Sequence, residues 1–226
     1  CSGRYGKACR HVCGHCYDDQ LCDHETGLCP EGCAPGWTGP WCQQPCMSGT
    51  YGIDCGSRCH HCLDNVTCHV ASGLCPWRCE PGWTGHRCNI ECEPGWHGSD
   101  CEFTCGHCFK NSVCDRQNGV CPFGCDPGFD GLFCTSECMP GYWGPNCQYK
   151  CGHCLSRACH TVTGYCSNRS CRAGWSGPRC DVMCRSGTYG LNCAMLCRHC
   201  QSPCDARDGS CPTQCLPGYT GRTCVE

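Results

Sequence analysis

Cysteine aside, the apolar residues of this chain recur singly rather than in runs, as aromatics set between glycines. Trp37, Trp83, Phe129, Trp175 and Tyr219 each follow a glycine and precede another two positions later. Tyr5, Tyr51 and Tyr189 mark a second recurring position, with Trp96 and Trp143 close to it. The spaces between are filled by Gly, Pro and polar residues, and with 31 Gly and 15 Pro much of the chain must be turns. Secondary structure should be sparse, limited to short two-stranded hairpins and almost no helix. The segment Asn118-Gly119-Val120-Cys121 reads as a hairpin turn running into a strand.

The aromatics keep step with the cysteines. The pattern is cleanest at Cys92, Cys101, Cys105, Cys108, Cys114, Cys121, Cys125 and Cys134. It begins five times, at Cys1, Cys46, Cys92, Cys138 and Cys184, and eight positions per unit account for all 40 cysteines. The repeats therefore span 1–45, 46–91, 92–137, 138–183 and 184–226, a period that marks an array rather than one globule. The fourth unit shortens one loop and lengthens another, Cys154 to Cys159 and Cys166 to Cys171, and the fifth shortens Cys200 to Cys204. Linkers such as Gln43-Gln44-Pro45 and Asn89-Ile90-Glu91 hold only three residues between one unit's last cysteine and the next unit's first. A linker that short, stapled at both ends, is no flexible tether, so a stiff rod with neighbour-to-neighbour contacts is expected.

This cysteine content is far above the level of a disulfide scaffold, and it places the chain in an oxidising compartment, outside the cell or in the secretory lumen. A unit of this size cannot build a sufficient apolar core, so covalent staples must replace it. A net charge of -3 provides no field for nucleic acid or an anionic membrane. There is no signal peptide, long apolar run or lipidation motif, so the chain reads as a mature protein or a piece of one. Cys13-Gly14-His15-Cys16 is also zinc vocabulary, but a zinc array would need a reduced compartment. A redox CxxC would need a thioredoxin-like context that is missing. His15, His61, His107, His153 and His199 all precede the second cysteine of that motif. They serve either a local structural role, bonding a turn or packing on a disulfide, or as a row of titratable groups able to bind metal or answer mild acid. No motif assembles Ser, His and Asp for catalysis, and no enzyme activity or cofactor is expected. Spacing alone leaves the cysteine connectivity open.

The segment Cys79-Glu-Pro-Gly-Trp-Thr-Gly-His-Arg-Cys88 resembles the last loop of an epidermal-growth-factor-like module. The added loop Cys46-Met-Ser-Gly-Thr-Tyr-Gly-Ile-Asp-Cys55 makes the unit similar to the eight-cysteine, laminin-type variant. Tandem units of this kind resemble the ectodomains of multiple-EGF scavenger and engulfment receptors, the Draper-like group. The resemblance covers the whole chain. It implies a fold of five tandem EGF-like repeats in an elongated rod of small disulfide-rich modules. It also implies the bridges Cys1–Cys9, Cys13–Cys22, Cys16–Cys29 and Cys33–Cys42 in repeat one, and Cys92–Cys101, Cys105–Cys114, Cys108–Cys121 and Cys125–Cys134 in repeat three. Carried through all repeats, this makes twenty bridges. Each closes a loop of roughly ten residues, worth about 2–3 kcal/mol by chain entropy.

Asn65-Val66-Thr67 and Asn168-Arg169-Ser170 are N-glycosylation sequons. The resemblance adds O-linked GlcNAc at Thr38, Thr84, Ser176 and Thr220, with Asp130 breaking the series, and an O-fucose position at Thr67. The acidic lead-in of calcium-binding modules is missing at His11-Val12-Cys13 and Phe103-Thr104-Cys105, so no structural calcium is expected. The aromatics are read as contacts between adjacent modules, with a row of carbohydrate- or lipid-binding rings as the rival. Two functions follow. One is a segment of a cell-surface receptor ectodomain that binds extracellular proteins or glycans. The other is a strand of an extracellular filament that binds itself. The stop at Val225-Glu226, two residues past Cys224 and nearly in phase with the repeat, favours the longer or end-to-end object.

Overall fold

A computed structural model describes residues 2–226. The chain divides into two compact units. The first runs to Cys105 and takes in Cys114–Gly119; the second consists of Gly106–Val113 and Val120–Glu226. The division falls inside the third sequence repeat rather than at a repeat boundary.

Both units are small disulfide-rich tandem repeats whose interior is sulfur. Among the described residues the buried side chains are cysteines, with Tyr51 the one exception, and no polar side chain is buried. Nineteen bridges are described, and no described cysteine is free. Each full repeat shows one scheme, seen in Cys46–Cys55, Cys59–Cys68, Cys62–Cys75 and Cys79–Cys88. Loops this short bury little apolar surface, so the bridges carry stability that a larger domain would draw from its core.

Among the described residues the paired strands form nine antiparallel ladders of two residues per strand. They alternate between two kinds. In one, the strands flank the second cysteine of a repeat, as in Thr50–Tyr51 with Ser57–Arg58. In the other, the Gly-aromatic-Gly loop pairs with the linker into the next repeat, Trp37 opposite Pro45 and Thr38 opposite Gln44. The linkers are thus held as strands, which fixes the exit direction of the chain.

The one-turn helical segments are left-handed turns. In Ile53–Cys55, Asp54 and Cys55 have φ of 51° and 55°, and the Gly56 N–H donates to the Ile53 carbonyl at 3.1 Å. Two consecutive positive-φ residues make a type I′ turn, which suits Asp and Asn far better than other side chains. The last cysteines of the repeats, Cys42, Cys88, Cys134, Cys180 and Cys224, are also left-handed, with φ of 51–55°. A conformation that costs a non-glycine residue about 1–2 kcal/mol persists here because the bridge over-determines it.

The turn at Asn118-Gly119 is present, but no strand follows it at Val120-Cys121. The Gly119 N–H donates to the Asp115 carbonyl at 2.8 Å, and the Asp115 carboxylate accepts the N–H groups of Gln117 and Asn118. This closes a tight loop rather than a two-residue hairpin. The Cys121 N–H then donates to the Leu132 carbonyl, a single contact that does not continue as a ladder. Gly119 itself is required by a close approach: a Cβ would lie 2.3 Å from the His97 ring.

Candidate interaction surface

The recurring histidines and aromatics, read separately in the sequence, are partners. His15 stacks on Trp37, His61 on Trp83, His107 on Phe129, His153 on Trp175 and His199 on Tyr219, with centroids 3.5–3.8 Å apart and planes within 16°. Each aromatic therefore covers a histidine of its own repeat, while the strand that carries it also lies against the next repeat, Trp37–Thr38 beside Ile53–Cys55 and Trp175–Ser176 beside Leu191–Cys193. The ring that each histidine meets is an aromatic of its own repeat.

Backbone bonds place the imidazole. The residue after the seventh cysteine donates to the histidine carbonyl in every repeat, as from Ala34 to His15 at 2.8 Å and from Glu80 to His61 at 2.8 Å. In three repeats the histidine N–H also reaches the last cysteine's carbonyl: His15 to Cys42, His107 to Cys134 and His153 to Cys180, at 2.9–3.0 Å. Those are the repeats with glycine before the histidine. A Cβ at Gly14, Gly106 or Gly152 would lie 1.8–2.1 Å from a backbone carbonyl oxygen. His60 and Arg198 occupy that position in repeats two and five, and among the described residues neither repeat forms the bond. In repeat two the His61 ring instead takes a carboxylate partner, its Nδ1 lying 2.9 Å from Glu80 Oε2.

The CxHC cysteines do not act as a pair. Cys13 bridges to Cys22 and Cys16 to Cys29, and likewise Cys105 to Cys114 and Cys108 to Cys121. Cys33–Cys42, Cys92–Cys101 and Cys125–Cys134 close the flanking loops. The tightest sulfur groups, Cys154 with Cys166 and Cys180, and Cys200 with Cys211 and Cys224, consist of disulfide sulfurs and so offer no thiolate to a metal. The Cys1–Cys9 bridge involves Cys1, which lies outside the described residues.

The glycosylation candidates differ in access. Asn65 and Asn168 are exposed, each left-handed with φ of 54°. The Thr67 hydroxyl is exposed and 2.9 Å from that of Ser48. Thr220 is exposed, whereas Thr38, Thr84 and Ser176 are half-buried in two-residue strands, with the Ser176 hydroxyl donating to the Val182 carbonyl at 3.3 Å.

Two sets of residues escaped the sequence reading. The first joins repeats. The Asp100 carboxylate accepts the Cys79 N–H at 3.0 Å, and the Asn146 and Asn192 side chains accept those of Cys125 and Cys171 at 2.7 Å. Beside each cap a backbone bond crosses the same junction: Gly82 to Gly98, Gly128 to Gly144 and Gly174 to Gly190. The Arg78 guanidinium is held above its ordinary pKa by hydrogen bonds to Glu102 and Asp100. The second set follows the fifth cysteine. Asp23, Asp115 and Asp205 use a carboxylate oxygen, and His69 and His160 use Nδ1, to accept N–H groups two or three residues on. The N–H and hydroxyl of Thr26 hold Asp23 below the usual carboxylate range. An Asp or Asn recurring directly before the second cysteine, at Asp54, Asp100, Asn146 and Asn192, was the available signal.

The chain is thus a tandem array of small disulfide-rich repeats, a class at home in oxidising compartments. Compared with known proteins, it matches no family model and no curated protein. Among the described residues no helix is long and apolar enough to cross a membrane.

Proposed function

We propose that the chain is a non-enzymatic extracellular interaction module of EGF-like, laminin-type repeats, serving as part of a cell-surface adhesion or scavenger-type ectodomain. One observation carries this reading. The interior is disulfide sulfur, while large apolar side chains such as Met47, Trp77, Phe123, Leu132 and Met139 stand more than two-thirds exposed. A scaffold stapled by sulfur is free to place such residues outward, where contact with a partner removes them from water. The partners are other extracellular proteins or glycans, and passage through the secretory pathway leaves N-glycan at Asn65 and Asn168 and O-glycan among Thr38, Thr67, Thr84, Ser176 and Thr220.

The test is binding of the labelled, fully bridged chain to intact cells and to extracellular-matrix extract, beside the same chain reduced and alkylated. Saturable binding that vanishes on reduction is the expected result. Equal binding by the reduced chain, or no binding by the bridged one, contradicts the proposal.

A further inference from the structure

Where the second repeat meets the third, within the first unit, the surface forms a hollow of about 390 Å³ lined by Leu74, Trp77, Thr84, His86 and Asp100 beside the cysteines of the Cys79–Cys88 bridge. Trp77 is 76% exposed, more than any other tryptophan of the chain. Its indole therefore offers an open apolar face next to a hydroxyl, an imidazole and a carboxylate. The polar groups are held in place. Asp100 is fixed by Arg78 Nε at 2.8 Å and by the Cys79 N–H at 3.0 Å. An ionised carboxylate has about four acceptor directions, so this leaves acceptor capacity toward the hollow. The His86 backbone is anchored by the Cys75 N–H at 2.9 Å, and its ring has no hydrogen bond or ring contact among the described residues. The Thr84 backbone is pinned by pairing with Ile90.

The lining selects among ligand classes. Asp100 and Glu102 repel a phosphate. A cation would find the Asp100 charge already met by Arg78, and Arg78 also bonds Glu102. An acyl chain would leave the imidazole and the remaining acceptor positions of the carboxylate unpaired beside it. A pyranose fits both aspects, with an apolar C–H face for an aromatic ring and hydroxyls around its edge for Thr84, His86 and Asp100. We infer that this hollow binds a sugar ring, stacked on Trp77 and hydrogen-bonded by those three residues. The combination occurs once. Glu31 and Phe123 replace Trp77 in the neighbouring repeats, and Pro40, Leu132, Pro178 and Arg222 replace His86. A sugar presented by another glycan meets all three groups, whereas one carried on Thr84 of this chain uses that hydroxyl as its attachment and meets Trp77, His86 and Asp100. The site deepens the interaction-module reading and rests on it.

The test uses the full, bridged, isotope-labelled chain made without glycosylation. It is titrated with the methyl glycosides of glucose, galactose, mannose and N-acetylglucosamine while the indole N–H signals and the backbone amides of Thr84, His86 and Asp100 are followed. The expected result is a saturable shift of the Trp77 signal with at least one sugar and a Kd of about 1–10 mM. Trp77→Ala should weaken binding by about tenfold or more and His86→Ala by a few-fold. In a second arm, chain secreted from a glycosylating host is compared with Thr84→Val. A Trp77 signal that moves only when Thr84 carries sugar assigns the site to the chain's own glycan. Silence of Trp77 in both arms, or an unchanged response in Trp77→Ala, overturns the site. The bridge content separates the two readings: free thiols would sink the extracellular module, whereas a fully bridged chain with a silent Trp77 sinks the sugar site alone.

Discussion

His15 lies flat on Trp37, with ring centroids 3.7 Å apart and planes 15° from parallel. The same contact recurs in all five repeats, although the partner ring changes from Trp to Phe to Tyr. What is repeated is therefore a stacked pair on the surface of a sulfur core. An aromatic pair contributes roughly 0.5–1.5 kcal/mol beyond buried area. The imidazole protons of His15 should accordingly resonate upfield in the wild-type chain and return toward free-imidazole positions in Trp37→Leu. Unchanged shifts on that substitution would contradict the stack.

Glycine before the histidine should govern amide protection. The His15, His107 and His153 N–H groups are bonded to the last cysteine's carbonyl, so their exchange with solvent should be slow, while the His61 and His199 amides exchange quickly. Gly106→Ala, with 2.0 Å of clearance to the Phe133 carbonyl oxygen, should destabilise repeat three by about 1–3 kcal/mol or more. His60→Gly in repeat two should not destabilise by a comparable amount. Exchange-detected NMR and denaturant titration measure the two effects.

The junction caps can be removed without altering backbone freedom adversely. Asn146 sits at φ of 50°, a conformation glycine adopts without cost. Asn146→Gly therefore deletes only the bond to the Cys125 N–H, at an expected loss of about 0.5–1.5 kcal/mol. The Cys125 amide should exchange faster while the amides of the first repeat stay as they were. Equal protection in the variant would show that the cap does not hold the junction.

The five equivalent loops differ in the acceptor that closes them, and in repeat one that acceptor predicts a response to acid. In repeats two and four the acceptor is an imidazole nitrogen, of His69 and His160, and a protonated ring can no longer accept. In repeat one the acceptor is Asp23, whose carboxyl is held below 3.8 by the Thr26 bonds. A depressed carboxyl contributes stability that is fully present above its unfolded value and is lost as pH falls through the folded one. The Asp23 loop should thus survive mild acid and open only in strong acid. The Thr26 amide shift recorded against pH checks this, and a Thr26 signal that moves in mild acid would contradict it.

Much of the fold was legible because cysteine spacing is rigid and periodic. Disulfide content, the scarcity of helix and the repeat register could all be read from where the cysteines stand. The histidine–aromatic pairing was not legible. His15 and Trp37 are 22 residues apart, and the bridges together with the backbone bonds from Ala34 and to Cys42 bring that separation to contact. The strand expected after Asn118-Gly119 failed because local turn chemistry pointed to a hairpin, whereas the Asp115 side chain captured the loop first. The Trp77 hollow was hidden for a different reason: it is not periodic, and attention to repeat positions passes over a residue that occurs once.

The account depends most on the bridges, since they close the loops on which the stacks and caps stand. Partial reduction with cyanylation and peptide mapping of the native chain is the direct measurement. The predicted result is no free thiol, with Cys59 joined to Cys68, Cys62 to Cys75, Cys79 to Cys88 and Cys46 to Cys55, and the same order in each repeat. Free thiols in any number, zinc released in proportion to protein on unfolding, or a bridge between two repeats would contradict it.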